Sequence, residues 1–135
     1  MEVEDVAPLV GSVACGAVVA ALVAPFVLLS DVGTELGLYY AAGPAGVTAL
    51  GFLAPVAVVV FLAGRRGRTD PVTAAGLTLV LGLGMLGLAA SWALAVDPQL
   101  VFNFSAAWMG NHRWVVLGVT ALVPLSAAAY ARAVL

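Results

Sequence analysis

The chain has 135 residues, of which 64% are apolar and only 9% are charged, and its net charge is −2. A water-soluble domain carries about 25% charged residues to cover its surface, so this composition excludes a soluble globular protein. The outward faces of its helices must instead meet lipid, which indicates an integral membrane protein.

Four apolar segments are long enough to cross a membrane. The hydrocarbon core of a bilayer is about 30 Å thick and requires roughly 20 helical residues. The segments cover residues 6–29, 46–63, 72–96 and 114–134, and no charge interrupts them before Arg132. The sequence therefore predicts an all-α polytopic membrane protein in which four transmembrane helices form one bundle, with residues 1–135 as a single domain.

The first segment follows an acidic leader, MEVED, and carries small residues at every fourth position. A cleaved secretory signal has a basic leader and a short apolar region, so we expect this segment to stay in the protein. The small residues, which we name the small-residue ridge, are Ser12, Gly16, Ala20 and Ala24. Membrane helices approach closely along such surfaces because lipid provides no hydrophobic drive for their association. The ridge therefore predicts a helix contact, within the bundle or with another subunit.

Three of the segments contain a proline: Pro25, Pro55 and Pro124. Each proline removes one backbone donor and tends to bend its helix. Membrane helices tolerate this when a neighbouring group satisfies the freed carbonyl. Bent packing is the simpler interpretation, and a hinge for alternating access is the other.

The link between the second and third segments, GRRGRTDP, gathers Arg65, Arg66 and Arg68. Short loops rich in arginine stay on the cytoplasmic side, so we expect a multi-pass protein of the plasma membrane with both termini in the cytoplasm. The alternative interpretation is a patch for anionic lipid head groups or for a partner. Asp70 and Pro71 then predict the N-cap and the first residue of the third helix.

The link between the third and fourth segments has the features of a short helix lying at the outer membrane interface. Asp97 and Pro98 repeat the start signal, while Gly110 and Asn111 predict a stop. One face of this helix would be apolar, and it comprises Leu100, Val101, Phe104, Ala107 and Trp108. Aromatic rings of amphipathic character sit at the level of the lipid head groups. We therefore predict an interfacial anchor made by Tyr39, Tyr40, Phe104, Trp108 and Trp114.

His112 and Arg113 follow this helix and are predicted to lie just above the lipid, in contact with head-group phosphates or water. The other interpretation is a ligand or partner site, in which His112 gains or loses a proton near pH 6.5 and Arg113 binds an anion.

Several activities lack the residues that they require. The segments contain no Asp or Glu at depth, which counts against a proton-coupled transporter. One histidine is too few for a haem carrier, and one cysteine, Cys15, is too few for disulfide exchange. His112, Asp97 and Asn111 make an unconvincing metal site, and no glycine-rich loop supports nucleotide binding. We expect a protein that is not an enzyme, has no cofactor and binds no nucleic acid.

The amino-acid usage provides one resemblance. The chain has no lysine and no isoleucine, its basic residues are all arginine apart from His112, and its polar ends are acidic. In this bias and in its span pattern it resembles the small uncharacterised four-span membrane proteins of halophilic archaea. The resemblance covers the whole chain and implies no activity.

Two functional classes remain. The first is a structural or accessory subunit that packs with itself as a homo-oligomer or with another membrane protein. The alternative is a small carrier or channel for a neutral or apolar solute, using the polar groups at depth, which are Thr48, Thr78, Ser91, Thr120 and Ser126. A pore requires these hydroxyls to converge on one axis, whereas an accessory protein leaves them dispersed.

Overall fold

The computed structural model describes residues 2–28, 34–43, 47–102 and 107–135. Within these ranges the chain forms helices and no strands, which confirms the all-α prediction. The helices are α1 (Val3–Leu28), α2 (Thr34–Tyr40), α3 (Thr48–Arg65), α4 (Pro71–Ala95), α5 (Pro98–Phe102) and α6 (Met109–Val134). Four of them, α1, α3, α4 and α6, are long and apolar enough to cross a membrane.

The start of α4 agrees with the predicted cap. Pro71 is its first residue, and the Asp70 carboxylate accepts a hydrogen bond from the backbone N–H of Thr73 at 3.3 Å. Asp70 therefore satisfies one of the backbone donors that a helix start leaves free, and proline is suited to a position where its missing N–H is not needed.

The link between α4 and α6 differs from the prediction. Asp97 does cap the start of α5, since its carboxylate accepts from the N–H of Gln99 at 3.0 Å, but α5 ends at Phe102. Gly110 and Asn111 do not stop a helix, because they lie in the first turn of α6. Glycine and asparagine end a helix when they adopt a positive φ, and neither residue does so here. The predicted stop is wrong, and the fourth long helix begins earlier than expected.

The long helices form a closed ring in chain order. Each packs against the next, α1 on α3, α3 on α4 and α4 on α6, and α6 packs back on α1. The start of α1 lies beside the end of α3, where Arg65 Nε donates to the carbonyl of Asp5 at 3.0 Å. A Cβ placed on Gly64 would lie 2.6 Å from both Ala74 Cβ and the Tyr130 hydroxyl, so the start of α4 and the last turns of α6 are at the same end. We name this the arginine end, and the opposite end, with α2, the aromatic end.

Glycines set the closest approaches between the long helices. A Cβ on Gly82 of α4 would lie 2.8 Å from the backbone nitrogen of Pro124 in α6, and a Cβ on Gly11 of α1 would overlap the ring of Phe61 in α3. Backbones can approach this closely only where no side chain intervenes. Gly11, Gly64 and Gly82 therefore lie at close contacts between the long helices.

The small-residue ridge does not make such a contact within the bundle. Gly16 and Ala20 are exposed, and a Cβ on Gly16 would meet nothing within 4 Å. The buried face of α1 is an adjacent one, and it comprises Ala7, Pro8, Gly11, Ala14, Cys15, Val18, Leu22 and Pro25. Because α1 is rich in small residues around its circumference, their spacing alone does not select the face that packs inward.

Candidate functional site

Four rings from three helices meet inside the bundle at the aromatic end. This histidine cluster consists of Tyr39 and Tyr40 from α2, Trp92 from α4 and His112 from α6. The ring centroid of Tyr39 lies 5.2 Å from that of Trp92 and 5.7 Å from that of His112. Tyr39 and Trp92 are fully buried, and His112 is 5% exposed.

The hydrogen bonds of His112 determine its tautomer. Nε2 lies 2.6 Å from the carbonyl oxygen of Ala21, and a carbonyl can only accept, so Nε2 carries the proton. In the neutral ring Nδ1 is then an acceptor, and the Tyr39 hydroxyl, 3.0 Å away, donates to it. Both nitrogens of the imidazole are therefore engaged in defined directions.

The carbonyl that His112 binds is the one that Pro25 leaves free. In a regular helix the N–H of residue 25 would donate to the carbonyl of Ala21, but Pro25 has no N–H. A buried carbonyl without a donor costs about 1–3 kcal/mol. His112 supplies the missing donor from α6, which explains how α1 keeps a proline in its interior.

Two further hydrogen bonds attach the short helix α2 to the long ones. Trp92 Nε1 in α4 donates to the carbonyl of Tyr39 at 2.7 Å, and the Tyr40 hydroxyl donates to the carbonyl of Leu22 in α1. A helix of seven residues is marginal on its own. Contacts with α1, α4 and α6 therefore hold α2 in place, and the cluster joins these three helices.

The phenols of the cluster stay neutral. Burial raises the pKa values of Tyr39 and Tyr40 well above the usual range because it disfavours the phenolate, and the nearby Arg113 opposes this only in part for Tyr39. A nucleophile or a general base would need the opposite perturbation. The cluster is suited to joining helices rather than to acid–base chemistry.

The side chain of Arg113 lies beside the cluster, between the end of α4 and the start of α6. One of its terminal nitrogens donates to the carbonyl of Val96 at 3.1 Å, and its guanidinium carbon lies 5.0 Å from the ring centroid of Trp114. Its Nε is buried and has no hydrogen-bond partner within the described part of the chain. Arg113 thus connects the end of α4 to the start of α6.

The predicted outer site is therefore corrected in part. The predicted contact of His112 and of the Tyr39 ring with head groups or water does not agree with their burial where α2 closes the bundle. Trp108 and Trp114 are 39% and 44% exposed, which is compatible with an anchor, and Tyr40 is half-buried. Phe104 lies outside the described residues.

The sequence did not predict the role of Trp92 or of the Ala21 carbonyl. Pro25 was the available signal for the carbonyl, since a proline inside a helix identifies the acceptor four residues earlier. Within the described ranges no group of three or more His, Cys, Asp or Glu side chains could hold a metal ion. Cys15 is buried and free. Arg65, Arg66 and Arg68 lie at the arginine end, far from the cluster.

Comparison with known proteins gives one match. No curated protein and no solved structure matches the chain. A family model does match, and it spans residues 1–135, including all four helices that are long and apolar enough to cross a membrane. The chain therefore belongs to the family of unknown function DUF7548.

Proposed function

We propose that the protein is a structural or accessory subunit of the plasma membrane, and that the small-residue ridge of α1 packs against a second copy or another membrane protein. The outward position of the ridge carries this proposal. The bundle makes its own close contacts through Gly11 and Gly82, and it leaves Gly16 uncovered. An exposed strip of small residues on a membrane helix is a surface that a further helix can approach closely.

The hydroxyls at depth support packing over transport. Thr78 and Thr120 donate to the carbonyls of Ala74 and Val116 at 2.8 and 2.7 Å, each one turn back in its own helix. Ser12, Ser91 and Ser126 make equivalent bonds. These five hydroxyls therefore bond within their own helices and offer no polar path to a solute, which disfavours the alternative of a carrier or channel. Thr48 is exposed at the first residue of α3.

The groove between α1 and α6 leads to the same conclusion. It has a volume of about 410 Å³, opens on the outside of the bundle near the arginine end, and is lined by Val3, Val6, Ala7, Val10, Leu122, Leu125, Ser126 and Ala129. Ser126 is the one polar side chain in this wall, and its hydroxyl is already bonded to Leu122. Such a surface is suited to lipid chains and offers no polar path across the membrane.

The distribution of arginines supports a cytoplasmic location for the arginine end. Arg65, Arg66, Arg68 and Arg132 are at this end, and Arg113 alone is at the other. Short arginine-rich loops are retained on the cytoplasmic side. Both described ends of the chain would then face the cytoplasm, with the histidine cluster on the outer side.

The packing proposal is tested by placing a bulky side chain on the ridge. Gly16→Leu is expected to lower association at least tenfold, measured as energy transfer between labelled chains in liposomes and as cross-linking through α1 in native membranes. Gly84→Leu is the matched control, because Gly84 in α4 is also exposed and a Cβ there meets nothing within 4 Å. A wild-type protein that is monomeric in liposomes and forms no cross-link through α1 would contradict the proposal.

A further inference from the structure

The three arginines of GRRGR do not share one environment. Arg65 lines a pocket with Glu4, Asp5 and Tyr130, and its Nε donates to the carbonyl of Asp5. Arg66 and Arg68 line a different pocket of about 210 Å³, whose other walls are Val59, Leu62 and Ala63 of α3. We name the second one the arginine pocket.

The end of α3 explains how Arg66 and Arg68 come together. Gly67 has a φ of +74°, a conformation that glycine adopts readily, and it reverses the chain after Arg66. The backbone N–H groups of Arg68 and Thr69 both donate to the carbonyl of Ala63, at 2.9 and 3.2 Å. This turn folds Arg68 back over the last turn of α3, so Arg66 and Arg68 line the same pocket as an alkyl wall.

The arginine pocket has positive charge without an internal counter-charge. No carboxylate lines it, and within the described residues no hydrogen bond or ion pair engages the side chains of Arg66 and Arg68, which are both exposed. Val59 in the wall is 67% exposed and faces away from the bundle, where a membrane helix meets lipid. The pocket therefore lies where an apolar helix surface changes into a cationic one.

We propose that the arginine pocket binds an anionic phospholipid, with its phosphate held by Arg66 and Arg68 and an acyl chain lying along Val59 and Leu62. Guanidinium groups recognise phosphate oxygens through paired N–H donors, and arginines at the membrane surface are attracted to anionic lipid. A small soluble anion would use only the charges, whereas a lipid uses both the charges and the alkyl wall. The chemistry of the pocket matches a molecule that is anionic at one end and apolar at the other.

Native mass spectrometry of the full chain in mild detergent tests this proposal, with phosphatidylglycerol and phosphatidylcholine of equal chain length as competing probes. Two arginines at the surface favour the anionic lipid by about thirtyfold in affinity, and each single substitution, Arg66→Gln or Arg68→Gln, is expected to reduce this preference about fivefold. Arg132→Gln is the matched control. It removes the same charge from the same end of the bundle, and Arg132 does not line the pocket.

Soluble probes distinguish a lipid site from a general anion site. Millimolar inorganic phosphate or glycerol phosphate is expected to leave the retained phosphatidylglycerol unchanged, because neither can use the alkyl wall. The proposal is overturned if the wild type retains both lipids equally, if Arg132→Gln lowers the preference as much as Arg66→Gln does, or if glycerol phosphate displaces the lipid.

Discussion

The two ends of the bundle use their polar groups in opposite ways. At the aromatic end, the imidazole of His112, the hydroxyl of Tyr39 and the indole N–H of Trp92 are all engaged inside the protein. At the arginine end, the side chains of Arg66 and Arg68 are exposed and engage nothing within the described residues. His112, Tyr39 and Trp92 hold helices together at the first end, whereas Arg66 and Arg68 at the second are available to molecules outside the protein.

The two ends differ because a backbone carbonyl lacks its helical donor inside the bundle at the aromatic end, whereas the side chains of Arg66 and Arg68 at the arginine end are exposed. Pro25 leaves the Ala21 carbonyl without a donor inside α1, and a buried carbonyl must be paired within the protein. At the arginine end the chain turns at Gly67, and long charged side chains there can reach water and head groups. The Ala21 carbonyl therefore requires a partner inside the protein, whereas the side chains of Arg66 and Arg68 do not.

The largest effect is expected from the loss of the imidazole. His112→Ala leaves the Ala21 carbonyl without its donor, removes the acceptor of the Tyr39 hydroxyl and opens a cavity, which should destabilise the protein by roughly 3 kcal/mol. The measurement is unfolding in mixed micelles titrated with a denaturing detergent.

The substitution Pro25→Ala tests whether the hydrogen bond from His112 to Ala21 replaces the N–H that Pro25 lacks. Alanine at position 25 restores the N–H that can donate to Ala21, so His112→Ala should cost about 1–2 kcal/mol less in that background than in the wild type. Equal costs in the two backgrounds would mean that the bond between His112 and Ala21 does not offset the missing donor of Pro25.

A somewhat smaller effect is expected in the packed region between the two ends. Gly82→Ala drives a methyl group against the backbone of Pro124, which cannot move aside cheaply, and should cost about 2 kcal/mol. Gly84→Ala has open space and replaces glycine with a better helix former, so it should be neutral or stabilising by up to about 1 kcal/mol. If the two variants unfold alike, α4 and α6 are not in the close contact described.

Removing a single hydroxyl should distinguish the two ends directly. Tyr39→Phe deletes the donor to His112 Nδ1 and should cost about 1 kcal/mol. Tyr130 at the arginine end is equally buried, but its hydroxyl has no hydrogen bond within the described residues, so Tyr130→Phe should change the stability little. The reverse order of the two effects would contradict the comparison between the ends.

The smallest effect is expected from pH. Because the folded state raises the pKa values of Tyr39 and Tyr40, unfolded tyrosines ionise first, near pH 10. Their contribution to stability is therefore complete below about pH 10 and is lost as the pH rises above it. Alkaline titration of phenolate absorbance in the Tyr130→Phe variant checks this. Ionisation of either remaining tyrosine at the pH of a free phenol would show that the aromatic end is open to solvent.

The sequence predicted the elements of this fold better than their contacts. Apolar length fixes the four long helices, and Asp70 with Pro71 fixes the start of α4, because each signal acts over a few neighbouring residues. The site depends on pairs that are distant in sequence, such as His112 with Ala21. Pro25 identified the acceptor, but nothing local identified the donor, and the early start of α6 moved His112 from a loop into a helix. Both the face of α1 that carries Gly11 and the face that carries Gly16 are rich in small residues. The sequence therefore could not distinguish the inward face from the outward one.

The tautomer and hydrogen bonding of His112 test the central claim most directly, because the chain contains one histidine and its nitrogen resonances need no assignment. Nitrogen-15 magnetic resonance of the protein in bilayers at neutral pH is expected to show a single neutral species, protonated at Nε2 and accepting a hydrogen bond at Nδ1. A ring protonated at Nδ1, or one that exchanges rapidly between tautomers as an exposed imidazole does, would contradict the account of a sealed aromatic end.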